Sequence, residues 1–187
     1  MDSPFASWMD RYALECPSLA PDKDPADALL NVLQKKGFSH EDEHESRFRS
    51  QGLSVLKVEG STSSEQVDST LSAMRNGFDV IVQARLERDQ FLGFADFLIK
   101  VPGDSNLGNY HYEVWDTKLA SKVKATFVMQ LCCYAEMMED VQGVRPRNIT
   151  VLLGNDEQVS LLTNDYFHYY LELKKSFLFD QVQFNPD

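Results

Sequence analysis

Two short segments, residues 93–98 (GFADFL) and residues 112–118 (YEVWDTK), decide the predicted fold of this chain. Both are rich in aromatic residues, and the second also has the β-branched Val114 and Thr117, which is typical of β-strands. Side chains alternate between the two faces of a strand, so Asp116 and Lys118 are predicted to share a face, with Thr117 on the other. The second segment therefore presents a carboxylate and an ammonium group side by side.

The first segment contributes a second acid. Strict alternation places Asp96 on one face with Phe94 and Leu98, and Ala95 and Phe97 on the other. If the two strands pair, two carboxylates and one ammonium group converge. Carboxylate oxygens suit Mg²⁺ or Mn²⁺, which hold phosphate oxygens and activate water, and a lysine offsets charge that builds up on the phosphate. We therefore predict metal-dependent hydrolysis of phosphodiester bonds.

Length and composition are those of one folded domain. The chain has 187 residues, of which 43% are hydrophobic. No apolar run approaches the roughly 20 residues that span a bilayer, and the N-terminus lacks the features of a secretory signal. The three cysteines (Cys16, Cys132 and Cys133) form no disulfide framework and are expected to be free thiols. These features favour a protein of the cytoplasm or the nucleoid.

The charge balance opposes tight binding to nucleic acid. The formal net charge is −11, and such a chain repels a polyanion at long range. Two features soften this objection. Metal ions neutralise acids at a metal site, and basic residues gather after the second segment, at Lys118, Lys122 and Lys124.

Patterns along the chain predict an α/β domain, with a mixed central sheet of about five strands flanked by helices. Residues 1–25 are predicted to be an irregular N-terminal arm with a short helix around Trp8 and Tyr12, and residues 26–187 the domain. The predicted helices begin at Asp24-Pro25, Ser39, Ser63, Val123 and Asp165, with Gly37, Gly52 and Gly77 as stops. The predicted strands are 53–58, 80–86, 93–101, 110–116, 149–153 and 158–162, with a mobile loop at 103–109.

Four motifs in order carry a family resemblance: residues 37–41 (GFSHE), 93–98 (GFADFL), 115–118 (WDTK), and Gln130 followed four residues later by Tyr134. The set resembles the RecB-type branch of the PD-(D/E)XK nuclease superfamily, whose nuclease module often precedes a helicase. The resemblance covers about residues 37–154. It implies a restriction-endonuclease-like fold and Mg²⁺- or Mn²⁺-dependent cleavage of DNA, single-stranded or at ends. The resemblance also implies that the nuclease module works with a helicase, as a domain of the same chain or as a partner protein.

The resemblance also implies roles for individual residues. Asp96 and Asp116 would be metal ligands and Lys118 the catalytic lysine. His40 and the backbone carbonyl of Thr117 would add further ligands. Gln130 and Tyr134 would line the site and place the scissile strand; their spacing puts both on one helix face.

Alternatives remain open for several of these residues. His44 lies one helical turn from His40 and competes with it as a ligand. Glu113 is an odd number of residues from Asp116, which places it on the opposite strand face. Gln83 either faces the site or is an ordinary polar strand position. An inactive domain that keeps the fold as a nucleic-acid or protein-binding scaffold is the alternative function, and a hydrolase acting on another phosphate ester is a third.

Other catalytic classes lack their sequence signals. The chain has no glycine-rich phosphate loop, no zinc-finger spacing of cysteine and histidine, and no serine on a glycine-flanked elbow.

Overall fold

The computed structural model describes residues 4–19 and 28–186. Within them the elements are α1 (Pro4–Glu15), α2 (Ala28–Ser50), β1 (Val55–Lys57), α3 (Ser63–Arg75), β2 (Val80–Arg88), β3 (Phe91–Ser105), β4 (Gly108–Lys118), α4 (Ala125–Gln142), β5 (Asn148–Leu153), β6 (Gln158–Leu162) and α5 (Thr163–Val182). The strands form one sheet in sequential order from β1 to β6. β1 pairs with β2 and β4 with β5 in parallel, and the other pairs are antiparallel. The predicted α/β fold with a mixed sheet is confirmed, with six strands where about five were expected.

Helices cover both faces of the sheet. On one face α2 packs through Phe48, whose ring lies 5.2 Å from Phe97 and 6.2 Å from Trp115 between centroids. The larger core fills the other face, where Met74 of α3 and Leu131 of α4 are fully buried. α5 packs against α4, and α1 packs against the C-terminal end of α5. The sheet is therefore the middle layer between α2 and the pair α3 and α4.

Several local predictions need correction. The two helices predicted before and after Gly37 are one helix, α2, because Gly37 keeps the helical conformation and does not form a cap. The predicted start at Asp24-Pro25 lies outside the described residues. The expected loop at 103–109 is mostly strand, because β3 and β4 continue to a tight turn at Asn106 and Leu107.

Other predictions are confirmed. A helix carries Trp8 and Tyr12, whose rings stack at 4.9 Å. β6 has the predicted bounds, and the three cysteines are free. In the part of the chain that the structure describes, every helix is too short or too polar to cross a bilayer.

The side-chain alternation predicted for β3 fails at one point. Ala95 and Leu98 both belong to the core on the α4 side of the sheet, whereas Phe97 belongs to the core on the α2 side. The opposite strand β2 shows the same shift, because Ile81 and Ala84 both face α4. Gln83, which lies between them, has a positive φ of 53°. A local backbone irregularity thus changes which face each residue occupies, next to Asp96.

Candidate functional site

The candidate site lies where β3 and β4 separate. Their register runs from the turn to the pair Phe97 and Trp115. One residue beyond, Asp96 Oδ2 accepts hydrogen bonds from the Thr117 backbone N at 2.7 Å and from Thr117 Oγ1 at 2.6 Å. The carboxylate therefore takes the place of a strand partner for this N–H group. These two bonds fix Asp96 at the opening between the strands.

Asp116 is the most buried acid of the site, with 1% of its surface exposed. Lys118 Nζ lies 2.5 Å from Asp116 Oδ2, as expected for side chains two residues apart on one strand face. Lys118 is thus the charge partner of this buried oxygen, which no other donor among the described residues contacts. Burial and the neighbouring Asp96 charge raise the pKa of Asp116 to about 7, although Lys118 opposes the shift. Two carboxylates thus share a space that holds one ammonium group.

A third carboxylate, Glu41 of α2, extends this cluster. Gln83 Nε2 donates to Glu41 Oε1 at 2.7 Å and lies 3.5 Å from Asp96 Oδ1. Burial raises the pKa of Glu41, the Gln83 hydrogen bond opposes this, and the charge of Asp96 adds to the increase. Glu41 had no predicted role. Its position directly after His40 in the 37–41 motif was the available signal.

Gln83 lies at the site, as one of its two sequence interpretations anticipated. Its positive φ and its bonds to both acids explain how a polar residue fits inside a strand whose neighbours Val82 and Ala84 are fully buried. The amide links α2 to β3 through side chains.

Tyr134 and Gln130 cover the site from α4. Gln130 Nε2 donates to Tyr134 Oη at 3.0 Å, which confirms that they share a helix face. Burial raises the pKa of Tyr134, and the charges of Asp116 and Asp96 contribute. Gly93 makes room for this ring, since a Cβ there would lie 2.6 Å from Tyr134 Cε1. The glycine of the GFADFL segment is thus explained by close packing.

His40 and His44 form a pair of their own. Their rings meet edge to face at 4.7 Å, and both are more than nine-tenths buried. Among the described residues, neither Nε2 has a hydrogen-bond partner. Arg47 and Asp156, which form an ion pair at 2.9 Å, are charged groups near the pair. The acid cluster receives its α2 contact from Glu41, and a ligand role for His40 stays a prediction.

Glu113 has a structural role. Its Oε1 accepts hydrogen bonds from the backbone N of Asn148 at 3.1 Å and from Asn148 Nδ2 at 2.8 Å. It therefore holds the start of β5 beside β4, in agreement with its predicted position away from Asp116.

These groups fit a divalent cation only in part. In the described ranges, no set of three or more histidine, cysteine, aspartate or glutamate side chains is arranged as a complete metal site. The joint role of His40, Asp96 and Asp116 as ligands therefore stays a prediction. The two neighbouring carboxylates of Asp96 and Asp116 do suit Mg²⁺, because this ion commonly binds through one or two carboxylates and keeps several waters.

Comparison with known proteins does not assign this chain to a family. No protein-family model matches this chain, and a search of curated proteins found no match.

Proposed function

We propose that this chain is a Mg²⁺- or Mn²⁺-dependent nuclease that hydrolyses phosphodiester bonds of DNA, in single strands or at ends. The observation that carries the proposal is the pair of neighbouring carboxylates Asp96 and Asp116, with Lys118 in contact with Asp116, at the point where two strands separate. Its setting would be DNA repair, recombination or related nucleic-acid processing in the cytoplasm or nucleoid. The resemblance to RecB-type PD-(D/E)XK nucleases supports the same conclusion.

The roles of the residues follow from their positions. Asp96, Asp116 and the Thr117 carbonyl would hold the ion, with His40 as a further predicted ligand and Glu41 as the acid next to Asp96. When bound, the ion supplies charge neutralisation and an activated water. Asp96 is kept in place by Thr117, and Lys118, in contact with Asp116, would offset charge that builds up on a phosphate bound there.

The α4 side would position the substrate. Tyr134 Oη accepts from Gln130 and lies close enough to both aspartates to sense their charge. Lys118 and Lys124 lie over the ring of Phe127, at 5.4 and 5.8 Å from its centroid. These ammonium groups give a local positive surface next to the acids, which offsets the repulsion expected from a net charge of −11.

A specific observation favours the scaffold as second candidate. Asp96 already has two donors from Thr117, Asp116 has Lys118, and the described residues contain no complete three-ligand site. A domain of this kind would keep the fold and bind a partner without cleaving DNA.

Cleavage of end-labelled single-stranded and duplex DNA, titrated with Mg²⁺ and Mn²⁺, tests the nuclease. We expect metal-dependent cutting that is lost in Asp116→Ala and Lys118→Ala proteins purified in the same way. Equal cutting by these variants contradicts the assignment of the site.

Calorimetry with Mn²⁺ separates the two candidates. The nuclease requires binding at up to millimolar concentration that Asp116→Ala removes. Absence of any binding, together with absence of cutting, favours the scaffold.

A further inference from the structure

An open pocket borders the acid cluster and shares Glu41 and Gln83 with it. It has a volume of about 330 Å³ and opens between α2 and β1; Phe38, Glu41, Asp42, Lys57 and Gln83 line it. Gln83 belongs also to the candidate site through its contacts with Glu41 and Asp96. A molecule in the pocket would therefore lie next to the predicted point of cleavage.

The lining is unusual for a phosphate pocket. Its two acids outnumber its one cation, and Lys57 is already shared between Asp42 at 3.6 Å and Glu45 at 3.4 Å. A phosphate would be repelled. The polar groups instead offer carboxylate acceptors and an ammonium donor, which match a neutral, planar group that has both an amine and a carbonyl.

Phe38 adds a flat apolar surface to the same pocket. It is a large aromatic side chain with 67% of its surface exposed. Phe38 and Asp42 are four residues apart and so lie on one face of α2. Exposed rings of this kind stack on unpaired bases, at roughly 1–3 kcal/mol per base. A base inside a duplex has no free face to offer.

From these observations we propose that the pocket binds one unpaired nucleobase that has an exocyclic amino group, such as cytosine, in a single-stranded substrate. The ring of Phe38 stacks on the base, Asp42 accepts from its amine, and Lys57 donates to its carbonyl. Carboxylates are the usual acceptors for the cytosine amine. This inference rests on the proposed function, because it concerns the substrate of the same site.

The test uses short fluorescent homopolymers of deoxycytidine and thymidine joined by methylphosphonate links. Their backbone is uncharged and resists phosphodiester hydrolysis, so binding in EDTA reports on the bases alone. By fluorescence anisotropy we expect the cytosine polymer to bind about fivefold more tightly than the thymine polymer, which lacks the amine. Asp42→Asn should remove the preference for cytosine. Phe38→Ala should weaken the binding of both polymers by at least about fivefold.

Two variants serve as matched controls. Phe5→Ala removes an exposed ring on α1, and Asp68→Asn neutralises an exposed acid on α3; neither should alter binding. Equal affinity for the two polymers, or unchanged binding by folded Phe38→Ala protein, overturns the base pocket. If DNA is cut but neither polymer binds, the pocket is wrong and the nuclease stands. If base preference is present without cutting, the pocket stands and the nuclease fails.

Discussion

Two buried carboxylate clusters on opposite sides of α4 differ in how their charge is balanced. Glu136 of α4 receives hydrogen bonds from Tyr170 at 2.6 Å and Lys174 at 2.7 Å, and Arg88 lies 3.3 Å away. Burial alone would raise the pKa of Glu136, but these partners outweigh it and the pKa is lowered. At Asp116 burial and a neighbouring acid prevail, and the pKa rises to about 7.

The difference separates a structural cluster from a functional candidate. Around Glu136 two cations, Lys174 and Arg88, contact one buried acid, and the other acids that Arg88 contacts, Asp89 and Asp140, are largely exposed to water. The folded chain alone therefore stabilises the charge of Glu136. Around Asp116 the acids Asp96 and Glu41 exceed the single cation Lys118, so the chain leaves negative charge unbalanced. Such an imbalance is tolerated where a ligand supplies the missing positive charge, and for that reason strongly shifted pKa values concentrate at functional sites.

The largest expected effect is on cleavage. We expect Asp96→Asn to lower the single-turnover cleavage rate at least about a hundredfold, because it removes one of the two carboxylates, Asp96 and Asp116, that would hold the metal ion. Glu136→Gln, compared per folded molecule, should leave the rate within about twofold. A similar loss of cleavage rate in both variants would show that the two clusters do not differ in function.

The next effect is on stability. We expect Glu136→Gln to lower the free energy of unfolding by about 3 kcal/mol near neutral pH, because the mostly buried Lys174 loses its charged partner, whereas Arg88 keeps its ion pair with Asp140. Urea denaturation measures this. The control Glu139→Gln breaks a more exposed pair with Arg145 and should lose less than about 1 kcal/mol. Equal losses would show that Glu136 is no structural centre.

A third prediction concerns the fit of Tyr134 over the acid site. Gly93→Ala places a methyl group against the Tyr134 ring, so we expect a loss of about 2 kcal/mol in stability and a reduced cleavage rate. Denaturation and the DNA assay measure the two effects. Substituting Tyr134→Leu in the same chain should relieve the clash and restore part of the stability. Full stability and activity of Gly93→Ala would contradict the close packing.

The two clusters should respond to pH with opposite sign. The pKa of Asp116 rises from 3.8 to about 7 on folding, so its charge destabilises the metal-free protein progressively as the pH rises through this range. Asp116→Asn should therefore raise the melting temperature by about 2–4 °C at about pH 8, and have little effect near pH 4.

The pKa of Glu136 is lowered from 4.5 on folding, so its stabilisation is present above that value and is lost on acidification. Glu136→Gln should accordingly destabilise at neutral pH and matter less below about pH 4. Melting curves in EDTA at several pH values measure how the melting temperature of each variant, relative to the unchanged protein, varies with pH. If the stability changes caused by Asp116→Asn and Glu136→Gln vary with pH in the same direction, the proposed difference in charge balance is wrong.

The smallest expected effect is a gain in stability from a substitution in α2, the helix that carries Glu41. Gly37 lies in its interior without a positive φ, and a Cβ there would meet no atom within 4 Å. Gly37→Ala should stabilise the protein by about 0.5–1 kcal/mol, measured by thermal melting, with unchanged pH slopes. Destabilisation would mean that this position is not an open helical site.

Parts of the site followed from local sequence. The shared face of Asp116 and Lys118 is set by strand alternation over two residues, and the shared face of Gln130 and Tyr134 by one helical turn. Glu41 did not follow, because its contact with Gln83 joins residues 42 positions apart. The alternation of β3 failed for a similar reason, since the irregularity arises where Gln83 of β2 faces Asp96.

The sequence by itself determined the α/β class, the sheet-forming segments and the pairing of an acid with a lysine, because these depend on periodicity and composition within a few residues. Only the tertiary structure decided which acids share one space and which are neutralised. That outcome depends on where β3 and β4 separate and on which helix covers the opening. Electrostatic energy varies with the distance between charges and their access to water, and both are fixed only when remote segments pack.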